Sequence, residues 1–346
     1  SAHYTLPFTA ATTPIQIATT SEAIRAQVQK MSLDEKIGQL LIIGFEKPYV
    51  DQHIFDMIRK YHIGGINLLG RNVTSEHQSK TLLADLQKLS SIPLFLATDQ
   101  EGGTVTRYKF LKEKVEQSQI REPDQALRVA ENRARELAEL GVTMNFAPVL
   151  DYVSATSSYL YRRTFATTSE AIGTLGSIMI EGYRIGGVVP VAKHFPGYGN
   201  IKPDPHKNAA VVDVTPAEFE EFLVPFKTAI TQSRVGAIMT AHIIIPSVDS
   251  KPATISSKIL TDILRKDLGF EGVIITDDLE MVSAGKNVEE IAVESLQAGA
   301  DMIISTYTPA KHITIFNRIK KAVETGEIKE EKIDESVYRI LRLKGN

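Results

Sequence analysis

What most constrains the fold of this chain is a regular alternation of two kinds of segment. Eight short, apolar, β-rich runs recur: IGQLLIIGF (around 38–45), IGGINLL (63–69), LFLATD (94–99), TMNFAPVLD (143–151), VVPVAKH (188–194), AIMTAH (237–242), GVIITDD (272–278) and DMIIST (301–306). They are nearly continuously apolar rather than alternating, as parallel strands covered on both faces must be. Between them lie SEHQSKTLLADLQKLS, PDQALRVAENRARELAELG, SEAIGTLGSIMIEGYRIGG, TPAEFEEFLVPFKTAITQS and NVEEIAVESLQAGA. These carry the 3.6-residue period of amphipathic helices. Several open on Ser, Thr or Pro and close on Gly, the asymmetry of helix caps.

Eight βα units predict an α/β chain folded as a (β/α)8 barrel of the TIM type, with allowance for irregular first strands. A doubly wound open sheet is the alternative, but no G-x-G-x-x-G follows the first strand. KEEKIDESVYRILRLKG closes the pattern as a last amphipathic helix. No shift in composition divides the chain, so one domain is expected over 21–346. Residues 1–20, rich in Thr and Pro, read as an extended lead-in or linker stub. That opening lacks the charged-then-apolar layout of a signal peptide. The compartment stays open between the cytoplasm and the cell envelope.

Composition removes several functional classes. The 346 residues carry a net charge of −3 without a block of like charge, so no nucleic-acid footprint is present. No apolar run approaches the roughly 18 residues that a membrane-crossing helix needs. The absence of cysteine removes disulfides, thiolate metal sites and thiol nucleophiles.

In a barrel of this kind the chemistry sits at the C-terminal ends of the strands. Polar residues collect there: Asp99, Asp151, Lys193, His194, His242, Asp277 and Asp278. Asp277, emerging after GVIIT, can be a nucleophile or an electrostatic stabiliser, or equally a helix N-cap. For Asp278 a structural role is the stronger expectation. The loop KHFPGYGNIKPDPHKN (193–208) is too polar and too broken to be core. In it, Asp204 stands two residues before His206 and can fix the tautomer of a proton-moving imidazole. The competing reading is an Asp-Pro turn with an exposed histidine. Lys193, His194 and His242 can instead be core-edge residues making internal hydrogen bonds. The first strand has no H-x-H pair, so no catalytic metal and no cofactor are expected.

LATDQEGGTVTR, NFAPVLD, RRTF, KHFPGYGN…DPH, MTAHIIIPSVD, PATIS and IITDDLEM, in this order, closely resemble family three of the glycoside hydrolases. The match is to its single-barrel, NagZ-like β-N-acetylhexosaminidase branch and runs from about Met31 to the C-terminus. The resemblance implies a metal-free retaining glycosidase whose catalytic domain covers 21–346. It would act as a monomer on a small saccharide, removing terminal non-reducing β-linked N-acetylglucosamine, with peptidoglycan-derived muropeptides as the source. It places the nucleophile on Asp277 and the acid/base on His206, partnered by Asp204. It places sugar-binding roles on Asp99, Arg163, Lys193 and His194, with Met281 near the acetamido group. Departures from the family pattern fall on Thr104, Tyr198, Asn200 and Pro205, and a one-residue slip would exchange Arg163 for Arg162. These bear on the leaving-group side more than on reaction type. A β-glucosidase or β-xylosidase of the same family and a non-catalytic muropeptide-binding barrel are the competing functions.

Overall fold

Each of the eight apolar runs supplies one strand of a closed barrel. In chain order these are β1 (Leu41–Ile43), β2 (Gly65–Leu68), β3 (Phe95–Thr98), β4 (Met144–Asn145), β5 (Val189–Phe195), β6 (Ala237–Thr240), β7 (Val273–Asp278) and β8 (Met302–Ser305). The computed structural model describes residues 13, 15–200, 210–281 and 287–345. Every strand pairs in parallel with its neighbours in sequence, and β8 closes on β1. The first two strands are short but pair without a break in register.

Two strands depart from regularity, both near the C-terminal mouth. Between β5 and β6 the pairing runs Ala192↔Ile238 and then Phe195↔Thr240, which leaves one extra residue in β5. Between β7 and β8 it runs Ile275↔Met302 and then Asp278↔Ile304, with one extra residue in β7. Such a bulge re-aims side chains that strict alternation would send to opposite faces. The extra residues fall where Lys193, His194, Asp277 and Asp278 stand.

Helices cover the outside of the barrel, with ends that follow local chemistry. Ser32 and Glu35 form a reciprocal capping box at the start of Leu33–Gln39, and Thr215 with Glu218 does the same for Pro216–Thr228. Thr168 caps Ser169–Ile185, and Pro123 opens Pro123–Leu140. The apolar faces of Pro123–Leu140 and Ser169–Ile185 bury Leu137, Ile180 and Tyr183 in the layer between barrel and helices. Helices Gln52–Arg59, Lys258–Asp267 and Pro309–Glu324 complete the ring in stretches where the sequence pattern gave no helix. Among the described residues no helix is long and apolar enough to cross a membrane.

Directly after β3, Gln100–Gly102 pairs antiparallel with Val105–Thr106 and folds a hairpin over the barrel mouth. Gly102 has φ +92°, and a Cβ there would stand 2.1 Å from the Val115 carbonyl oxygen. A side chain is therefore excluded, which explains the first glycine of DQEGG.

Candidate active site

The strand ends converge on one cavity of about 540 Å³ at the C-terminal mouth. Asp99, Arg163, Lys193, His194, Asp277 and Met281, which come from distant parts of the sequence, all line it. Asp204 and His206 lie outside the described residues.

One wall is a buried charge network. Lys193 Nζ donates to Asp99 Oδ1 at 2.8 Å and lies 2.6 Å from Glu101 Oε1. Arg163 meets Glu101 with both Nε and a terminal nitrogen, each at 2.8 Å. Arg107, reaching back from the hairpin, lies 3.4 Å from Asp99 Oδ2. Lys193 and Glu101 are each 1% exposed, so neither of these two charges can rely on water. Burial pushes the Asp99 carboxyl up, but Lys193 and Arg107 outweigh it and hold the group below its usual range. Burial likewise disfavours the Glu101 carboxylate, and Arg163 and Lys193 overcome it by a wide margin. Lys193 is pressed down by burial but held above its usual value by Asp99 and Glu101. All of these groups therefore stay ionised through the neutral range.

The two adjacent arginines separate clearly. The Arg163 side chain is 11% exposed and bound to Glu101, whereas that of Arg162 is 69% exposed and pairs with Glu116 at 2.6 Å. The guanidinium that enters the buried network is that of Arg163.

The second histidine-bearing element is organised by Asp151, which is fully buried. Its Oδ2 accepts from His194 Nδ1 at 2.7 Å and from the His194 amide at 3.2 Å. Its Oδ1 accepts from the Tyr198 amide at 2.7 Å. A carboxylate only accepts, so Nδ1 carries the ring proton. Tyr198 packs edge-on against the His194 ring and its hydroxyl accepts from the His242 amide at 3.2 Å. Burial raises the Tyr198 phenol well above its usual value, keeping it a donor.

The opposite wall is the end of β7. Asp277 Oδ1 accepts from the Asp278 amide at 2.8 Å. Asp278 borders the cavity as well, but its carboxyl group is engaged by the protein, accepting from the Thr306 hydroxyl and from the Glu280 amide. Its carbonyl accepts from His242 Nε2 at 3.0 Å, and His242 Nδ1 meets the Thr254 hydroxyl at 2.8 Å. His242 is thus a buried brace for the end of β7. Glu280 ties the following turn to the loop after β8, accepting from Ser305 Oγ, Tyr307 N and Thr308 N at 2.8–3.0 Å. Burial opposes its ionisation, but these donors bring the carboxyl down to about 2. Met281 sits at the end of that turn, facing the cavity.

Several residues here were not singled out from sequence as site residues: Glu101, Arg107, Asn67 and Thr306. Glu101 had a signal, since it stands two residues after Asp99 in DQEGG and so on the same face of an extended chain. Arg107 had none, because only the hairpin brings it back. Among the described residues no group of three or more His, Cys, Asp or Glu could hold a metal ion.

Fold and site together define a (β/α)8 barrel protein with a charge-lined, carboxylate-bearing cavity at its C-terminal mouth, the architecture of a barrel hydrolase. The profile of the glycosyl hydrolase family 3 N-terminal domain matches residues 32–343, and the chain belongs to that family. It is 34% identical over 297 residues to a beta-hexosaminidase of Nitrosomonas eutropha, covering 81% of this chain and 85% of the relative. A family 3 beta-N-acetylglucosaminidase from Paenibacillus sp. superposes with a TM-score of 0.87 at 35% identity. That match covers 91% of this chain and 62% of the Paenibacillus chain. LpqI of Mycobacterium tuberculosis superposes with a TM-score of 0.86 at 28% identity, covering 96% and 98% of the two chains.

Proposed function

We propose that the protein is a retaining β-N-acetylhexosaminidase that removes terminal non-reducing β-linked N-acetylglucosamine, with peptidoglycan-derived muropeptides as its substrates. The observation that carries this reading is the opposition of Asp277 to Asp99 and Glu101, which follow β3 and which Lys193 and Arg163 engage. β7 and β3 are four strands apart in either direction around the ring, hence diametrically opposed. A sugar whose anomeric carbon meets Asp277 presents its far hydroxyls to fixed, ionised partners on the other wall. Family membership and relatives that bear the name beta-hexosaminidase point the same way.

In this mechanism Asp277 attacks the anomeric carbon through an oxocarbenium-like transition state and forms a covalent glycosyl-enzyme. His206 protonates the departing oxygen and then, as a base, activates water, with Asp204 favouring its charged form. Asp99, Arg163, Lys193 and His194 hold sugar hydroxyls, and Met281 lies against the acetamido group. One chain supplies every residue named, so a monomer suffices.

The test is a panel of aryl β-glycosides, the N-acetylglucosaminide, glucoside and xyloside, assayed with wild type and Asp277→Ala. The N-acetylglucosaminide should be strongly preferred, and Asp277→Ala should abolish its turnover. A preferred glucoside or xyloside would overturn the substrate assignment, and near-normal turnover by the variant would overturn the nucleophile.

A further inference from the structure

The interior of the cavity carries a polar group that none of the contacts above engages. Asn67 belongs to β2, between the core residues Ile66 and Leu68, and its register partner is Ala97 of β3. Strand alternation turns Ile66 and Leu68 to the helices and Asn67 to the barrel interior. It is 5% exposed and lines the cavity. Its Oδ1 has no hydrogen-bond partner among the described residues. Interior positions of such barrels are ordinarily filled by branched apolar side chains. Met239 of β6 and Ile304 of β8 do fill the same cavity with apolar bulk. A buried amide oxygen without a donor costs about 1–3 kcal/mol, a cost that a leucine of similar size would avoid.

The position of Asn67 says which part of a ligand would meet it. C1 and C4 lie across a pyranose ring from each other. With C1 at Asp277 on β7, the C4 hydroxyl and the C6 hydroxymethyl reach towards β3. Asp99 follows β3 on that side, fixed by Lys193 and Arg107 with acceptor sites left for one sugar hydroxyl. Asn67 stands on the adjacent strand, level with Ala97 and therefore two residues deeper than Asp99. It offers an acceptor that no donor among the described residues has taken.

We propose that Asn67 is a specificity-determining residue, whose amide accepts a hydrogen bond from a hydroxyl on the C4–C6 edge of the terminal sugar. The inference rests on the assignment of Asp277 to the anomeric carbon. The site then has two readers on one wall. The ionised network grips the sugar, and a neutral amide beneath it completes the recognition of a hydroxylated edge.

The experiment compares wild type with Asn67→Leu on the aryl β-N-acetylglucosaminide and on its 4-deoxy and 6-deoxy analogues. The variant should keep or raise the melting temperature, because the unmet amide is gone. Its kcat/KM on the parent substrate should fall on the order of tenfold to a hundredfold. On the analogue that lacks the contacted hydroxyl, variant and wild type should be alike. Asn67→Ala, which introduces no new bulk, carries the same expectation should the leucine variant fail to fold. An equal loss on all three substrates, or no loss on the parent, would overturn the assignment of Asn67 alone. A wild type inactive on the parent would instead overturn the hexosaminidase reading, and this inference with it.

Discussion

Arg163 is clamped to Glu101 by two parallel hydrogen bonds of 2.8 Å, and the same carboxylate holds Lys193 at 2.6 Å. One buried anion thus organises two buried cations. Removing it leaves Arg163 without its carboxylate and Lys193 with Asp99 alone, a far larger loss than trimming an exposed ion pair.

Glu101→Ala should accordingly lose on the order of 3–5 kcal/mol of unfolding free energy and most of its activity. Urea unfolding and kcat/KM check this, and a variant within 1 kcal/mol of wild type, roughly the worth of an exposed pair, would show the network to be peripheral. The pH dependence has a definite sign. The folded carboxyl is held far below its unfolded value of about 4.3, so its contribution is complete above that value. It is lost as pH falls below it. Wild type should weaken below about pH 4 more steeply than Glu101→Gln.

Asp151→Asn keeps the shape of the side chain but faces an N–H donor with another N–H. The native carboxylate accepts from His194 Nδ1, His194 N and Tyr198 N, so the substitution breaks at least one buried contact. The expected cost is about 1–3 kcal/mol in stability and on the order of tenfold to a hundredfold in kcat/KM. Activity within twofold of wild type would mean that the orientation of His194 is immaterial to turnover.

These two residues mark what the sequence could and could not convey. Strand existence was legible throughout, because a parallel strand buried on both faces must be an uninterrupted apolar run. So was the clustering of Asp99, Lys193, His194 and Asp277, since each ends such a run. The direction of each side chain was not. Neighbours such as Lys193 and His194, or Asp277 and Asp278, line one cavity because β5 and β7 each carry an extra residue against their partners. A one-residue bulge of this kind leaves no mark on composition or period. The choice between Arg162 and Arg163 was hidden for another reason, as it depends on which one the buried Glu101 can reach. The sequence places Asn67 within a strand, and only the enclosed cavity shows that its Oδ1 meets no donor among the described residues.

His312 offers a prediction far from the network. Its Nδ1 lies 3.0 Å from His53 Nε2, and its ring is 1% exposed. Burial, reinforced by the neighbouring imidazole, lowers it to about 4. A histidine whose folded value lies below its unfolded value stabilises fully above about pH 6.5, and that contribution is lost as pH falls towards the folded value. Wild type should therefore lose stability between pH 6.5 and 4 more steeply than His312→Gln. Chemical denaturation at several pH values checks this, and parallel profiles would remove His312 from the acid response.

Asp278 titrates in the opposite sense. Burial raises its carboxyl to about 7, against the hydrogen bonds from Thr306 and Glu280 and with the help of the neighbouring Asp277. Its unfolded value is about 3.9, so between the two values the unfolded state releases a proton that the folded state keeps. The folded state then binds more protons, and stability falls as pH rises through that window. Above about 7 the buried carboxylate stands charged beside Asp277 at its full cost. Asp278→Asn, which cannot ionise and keeps an oxygen to accept from Thr306, removes this dependence. Relative to wild type the variant should gain on the order of 2–4 kcal/mol as pH rises from 4 to 7, and nothing further above it. Urea unfolding of both proteins at pH 4, 5.5, 7 and 8.5 measures the difference directly. A difference that stays constant across that range would mean that Asp278 is already ionised in the folded protein at pH 4.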